Sequence, residues 1–165
     1  MRKKRTKVRG FTLVELLIVI GLLAILAGAV LAIFNPFGQI QKSQDAKRKN
    51  DLAQIQRALE LYYQDNGRYP ASTAAYGITG VAWGGAWGQY MAKVPTDPTA
   101  TKTYVYYTPA GQNQQTYYLY TNLDRGTNDP QACTGGNDCP NVPAPKKCGP
   151  NLACNFGLSS PNVTP

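Results

Sequence analysis

The residues able to do chemistry are few, and each sits in an unusual setting. Glu15 is the only charge between Phe11 and Phe34, a stretch otherwise built from Leu, Ile, Val, Ala and Gly. Four cysteines, Cys133, Cys139, Cys148 and Cys154, all fall near the C-terminal end. Histidine is absent, which excludes Ser-His-Asp and Cys-His nucleophile pairs, an imidazole base and any His-containing zinc site. The intervals within the two outer cysteine pairs are five residues each, wider than the zinc knuckle of about two to four. No set of nucleophile, base and oxyanion donor can be assembled, so the chain reads as a non-enzyme. What remains to explain is a carboxylate in an apolar run and a thiol-rich tail.

The elements that carry these residues follow from hydropathy and charge. At 165 residues the chain has room for one modest domain. Its net charge of +8 is concentrated: six bases and no acid occupy residues 1–10, leaving 11 bases against 9 acids elsewhere. Leu16 to Phe34 is 19 residues without a charge, a helix of roughly 28 Å, close to the hydrocarbon thickness of a bilayer. It is apolar on every side, as a membrane span is and a soluble core helix is not. The dense basic cluster before it predicts a cytoplasmic N-terminus, with residues after about 36 outside. Glu15 inside such a span costs on the order of 2.5–3.5 kcal/mol, a cost that a disposable secretion signal has no reason to carry. A signal cleaved after Ala29, leaving a small secreted protein that begins at Val30, stays as the alternative.

Gly10-Phe11-Thr12-Leu13-Val14-Glu15, placed between a short basic leader and an apolar helix, resembles the processing site of type IV pilins and type II secretion pseudopilins. The resemblance implies cleavage after Gly10 by a membrane-embedded prepilin peptidase, methylation of the new amine at Phe11, and retention of the helix. It also implies that Glu15 pairs with the N-terminal amine of a neighbouring subunit in a filament. Glycine before the cut suits an extended backbone entering a protease groove. Glu15 can alternatively act as a cap on the helix start. Family members commonly carry a proline near the end of the apolar run; here Pro36 comes a few residues late, and a break is expected around Asn35–Gly38.

After Gly38 the pattern becomes amphipathic. Ile40, Leu52, Ile55, Leu59 and Tyr62 recur at helical spacing, Asn66-Gly67 supplies a C-cap and Pro70 forbids continuation. Lys47-Arg48-Lys49 reads as a solvated face, with a nucleic-acid or lipid patch as the alternative. Asp65-Asn66-Gly67-Arg68-Tyr69-Pro70 and Val94-Pro95-Thr96-Asp97-Pro98 resemble the major pseudopilin of type II secretion. Trp83 and Trp87 lie in a glycine-rich loop and are expected as buried anchors over the helix, with an exposed adhesive patch as the alternative. Lys102–Thr108 and Thr116–Asn122 read as an antiparallel hairpin with Tyr104 and Tyr106 on one face. One tyrosine row should pack on the helix and the other should face water.

The expected fold class is therefore α+β: a long N-terminal helix with a membrane half and an amphipathic half, packed on a small antiparallel β head, followed by an irregular cysteine-containing tail. The divisions are 1–10 leader, 11–36 membrane and assembly helix, 37–66 amphipathic helix, 67–125 head and 126–165 disulfide-stapled tail. Outside the membrane thiols oxidise. Local Cys133–Cys139 and Cys148–Cys154 bridges are favoured over a nested Cys133–Cys154 and Cys139–Cys148 arrangement, and residues 158–165 read as disordered. No cofactor is expected, although pseudopilins of the secretion type often hold calcium, for which Asp124, Asn128, Asp129 and Asp138 offer hard oxygens. The resemblance implies a filament subunit whose partners are its own copies, the prepilin peptidase, an assembly ATPase acting through a platform protein, and the inner membrane. An adhesive or DNA-uptake pilin is the second class, and near-neutral charge beyond the leader gives no sign of specific nucleic-acid binding.

Overall fold

The computed structural model describes residues 10–33 and 35–165; all of the expected leader except Gly10 lies outside them, as does Phe34. The described chain divides into two compact units, one reaching Gln39 and one running from Ile40 to Pro165. In the first unit, α1 spans Leu13–Ile33. No part of its Leu13–Val30 segment is buried, and that segment is long and apolar enough to cross a bilayer. The break falls where proline dictates. Pro36 opens α2 (Pro36–Asn66), a position where its missing N–H costs nothing, and Asn35 Oδ1 caps the new helix by accepting the Gly38 N–H at 3.1 Å.

In the second unit, α2 ends where Gly67, at φ +68°, donates its amide to the Tyr63 carbonyl, a left-handed C-terminal cap. Three short strands follow: β1 (Val105–Tyr107), β2 (Tyr118–Thr121) and β3 (Phe156–Ser159). They form one antiparallel sheet in the order β1-β2-β3, with Val105 opposite Tyr120 and Leu119 opposite Leu158. Because side chains alternate across the sheet, Tyr104, Tyr106, Tyr117, Leu119 and Phe156 share a core with Leu52, Ile55 and Leu59 of α2. Each such aliphatic side chain, fully removed from water, contributes about 1.5–3 kcal/mol. Trp87 is buried and stacks on Tyr62 at 5.7 Å, while half-buried Trp83 meets Tyr104 edge-on. Both tryptophans therefore serve as anchors.

Two expectations about the rest of the head are overturned. The outer row is not wet: Val105, Tyr118 and Tyr120 are buried against Cys139, Cys148 and Cys154. The tail folds back as a third layer, because a sheet face with two tyrosines and a valine needs a cover. Nor are residues 158–165 without order. Leu158 and Ser159 belong to β3, and Ser160 is fully buried with its amide donating to the Tyr117 carbonyl. Gly157 faces Tyr120 in the register, and a Cβ there would lie 2.6 Å from its ring; only glycine lets β3 close on β2.

The bridges are the local ones, Cys133–Cys139 and Cys148–Cys154. Closing so short a loop removes unfolded-state entropy worth about 2 kcal/mol in the chain-entropy model. Replacing Cys148 and Cys154 together by Ser should lower stability in denaturant by about that amount. It should also expose Tyr118 and Tyr120 to a collisional fluorescence quencher, and an unchanged midpoint would count against the tail as a stabilising cover.

Candidate functional site

Two places concentrate unusual chemistry, one in each unit. At the start of α1, Gly10 and Phe11 precede the helix and are exposed. Thr12 and Glu15 then form a reciprocal cap. Thr12 Oγ1 accepts the Glu15 N–H at 3.2 Å, while the Thr12 N–H and O–H both donate to Glu15 Oε2, at 2.9 and 2.8 Å. This is a capping box, in which two orphan donors of a helix start are satisfied by side chains three residues apart. Glu15 thus caps the start of α1, as its alternative reading expects. Among the described residues no donor reaches Oε1, so the carboxylate keeps an oxygen for a further partner.

The second place is Arg48. Its sequence setting suggested a solvated charge run; instead its side chain is wholly buried. Arg48 falls on the same helical stripe as Leu52, Ile55 and Leu59, and that spacing was the available signal. A buried guanidinium must satisfy five N–H donors and balance its charge. It does both. Nε and Nη2 clasp Asp97 at 2.9 and 3.1 Å, Nη2 also reaches Thr99 Oγ1 at 3.0 Å, and Nη1 bonds Asp45 at 2.8 Å and Asp124 at 2.6 Å. Asp45 in turn accepts the backbone amides of Asp124 and Arg125. One side chain thereby joins α2, the turn after Pro95 and the segment after β2. Desolvation alone would make the Arg48 charge easier to lose, but Asp97 and Asp124 hold it firmly protonated.

Its neighbours are paired as well. Lys47 bonds Asp51, which also accepts the Tyr104 hydroxyl, and Lys49 reaches Asp129 and Gln131. The acidic residues considered for calcium are therefore spoken for. Asp124 bonds Arg48 and Lys102, both oxygens of Asp129 face Lys49, Asp138 pairs with Lys147 and caps the Cys154 amide, and Asn128 is exposed. Among the described residues no group of three acidic or thiol side chains is placed to hold a metal ion.

Residues 5–31 match the prokaryotic N-terminal methylation motif, and residues 35–137 match the family described as type II secretion system (T2SS), protein G. The chain belongs to that protein G family. A type II secretion system core protein G from Dickeya chrysanthemi is 31% identical over 96 residues, 58% of this chain and 54% of the relative. One from Klebsiella pneumoniae is 35% identical over 97 residues, covering 54% of this chain and 68% of the relative. A fimbrial protein from Eikenella corrodens is 39% identical over 70 residues, 42% of this chain and 44% of its own length. The chain spans about half the length of the first curated relatives it matches. No solved structure matches it. The protein G match ends at residue 137, so three of the four cysteines and β3 lie beyond it.

The ion cluster has measurable consequences. Arg48→Gln leaves buried carboxylates without their counter-charge and should cost about 3–5 kcal/mol in urea unfolding, whereas Lys47→Ala, which removes an exposed ammonium from an Asp51 still bonded by the Tyr104 hydroxyl, should cost under about 1. Burial would raise Asp124 and Asp129, yet Lys102 and Arg48 hold the former, and Lys49 the latter, below the usual carboxylate range. Carboxylates depressed on folding stabilise above their unfolded value of about 3.9 and cease to do so as pH falls below it. The melting temperature should therefore hold between about pH 7 and 5 and drop below about pH 4.

Proposed function

We propose that the chain is a prepilin that becomes a structural subunit of a type II secretion pseudopilus. One observation carries the reading. A lone carboxylate stands four residues beyond Phe11, at the head of an α-helix that is apolar all round and whose Leu13–Val30 segment is unburied among the described residues. Cleavage after Gly10 creates an ammonium at Phe11, and methylation keeps it charged. In low dielectric an unpaired carboxylate is expensive and a paired one much less so. Glu15 therefore favours transfer of α1 from lipid into a bundle in which another copy's amine meets it, at the oxygen that Thr12 leaves open. The contact is heterologous, one patch against a different patch, which builds helical filaments rather than closed rings.

On this reading the protein is a substrate of enzymes: the prepilin peptidase cuts and methylates it, and an assembly ATPase drives it through a platform protein. The basic residues before Gly10 hold the N-terminus in the cytoplasm and the head lies across the inner membrane. The likeness to a fimbrial protein supports a surface pilus as the second reading. Loss of exoprotein release on deletion favours the pseudopilus, and loss of surface fibres with release intact favours the pilus.

Mass spectrometry of the mature protein should find an N-terminal methylated Phe11; a chain beginning at Val30 would instead make this a secreted protein. Glu15→Ala should leave the subunit in the membrane fraction and reduce sheared filaments by at least about tenfold, the factor that corresponds to roughly 1.4 kcal/mol of lost pairing. Normal filament yield from Glu15→Ala would refute the assembly role.

A further inference from the structure

The resemblance to secretion pseudopilins implies calcium near the end of the head, and the residues present do not fit it. We infer that Arg48, Lys49 and Lys102 are an internal cation set that fastens the 124–131 segment to the head, so that the fold needs no divalent cation. The oxygens a cation would need are already occupied. Asp124 receives Arg48 Nη1 on Oδ2 at 2.6 Å and Lys102 Nζ on Oδ1 at 2.5 Å. Asp129 receives Lys49 Nζ on both oxygens, at 2.8 and 2.6 Å. The neutral oxygens a hard cation would recruit next are also engaged: Gln131 Oε1 bonds Lys49 at 2.8 Å, and Asn122 Oδ1 bonds Lys102 at 2.7 Å.

Calcium gathers about six to eight oxygens at roughly 2.3–2.6 Å. Here it would have to enter beside three fixed positive charges and displace them from the carboxylates it needs, against Coulomb repulsion at contact distance. The three cations come from two separate elements, α2 and the turn before β1. They therefore tie the 124–131 segment to both, as a multidentate ion would. Arg48 cannot lose its proton under any ordinary condition, so the fastening is permanent where a metal site would respond to calcium concentration.

The test concerns the head alone and stands or falls separately from cleavage and filament assembly. The full chain in detergent micelles is stripped with a chelator and its thermal unfolding followed by tryptophan fluorescence, with and without millimolar calcium. The midpoint should move by less than about 1 °C, because a cation site filled at about 100 times its dissociation constant would raise it on the order of 10 °C. A calcium-dependent rise of several degrees overturns the inference. The Lys49→Ala, Lys102→Ala double variant keeps Arg48 and the apolar core. Trypsin should cut it after Arg125 about tenfold faster than the parent chain, since local opening governs cleavage. Cutting at the parent rate would also overturn the inference.

Discussion

A guanidinium sealed from water can remain charged only while each N–H has an acceptor and opposite charge surrounds it, and that requirement organises the second unit. Arg48 meets it by drawing in Asp45 from its own helix, Asp97 and Thr99 from a proline-flanked turn, and Asp124 from the segment after β2. If any of these segments moves, a buried guanidinium is left with an unpaired N–H and less opposing charge, a larger cost than a lost surface pair. The cluster thus works as a geometric specification. It sets where α2 meets the turn and where the chain leaves the sheet, while apolar contacts supply the cohesion.

That cohesion comes from an unusual inventory. Beyond the first helix the chain has little leucine or isoleucine, and tyrosine takes their place. Tyr106, Tyr117 and Tyr120 are fully buried, and a ring of that size removes as much surface as a large aliphatic side chain. Each hydroxyl then needs a partner. Tyr106 donates to the Pro70 carbonyl, Tyr104 to Asp51, and Tyr69 and Tyr117 both to Glu60, whereas the buried Tyr120 hydroxyl has no partner among the described residues. Burial and the adjacent carboxylates push Tyr69, Tyr104 and Tyr117 well above the ordinary phenol range, so these hydroxyls remain donors. The tail supplies the second cover that the sheet requires, with two disulfides in place of the apolar bulk it lacks.

The two units answer to different solvents. α1 has no polar face and its one carboxylate is held at the helix start by Thr12; α2 has a stripe and a wet side. Asn35 and Pro36 separate the two with a cap and a forced N1 position. The Glu15 carboxylate caps the helix through Oε2, and among the described residues no donor reaches its Oε1.

Features that depend on neighbours in the chain were legible in the residues alone: the membrane span from its uninterrupted hydropathy, the helix break from Pro36, the C-cap from Asn66-Gly67, the hairpin from tyrosine alternation, and the local cysteine pairing from spacing. Whatever depends on desolvation by distant segments was not. Arg48 looked like part of a charged surface because its three counter-ions lie up to 76 residues away, and only folding brings them together. β3 and the burial of Tyr118 and Tyr120 were hidden for the same reason. A strand of four residues in a polar tail has too little local signal to announce itself, and its place is decided by which sheet edge and which uncovered face remain once the helix has taken the other side.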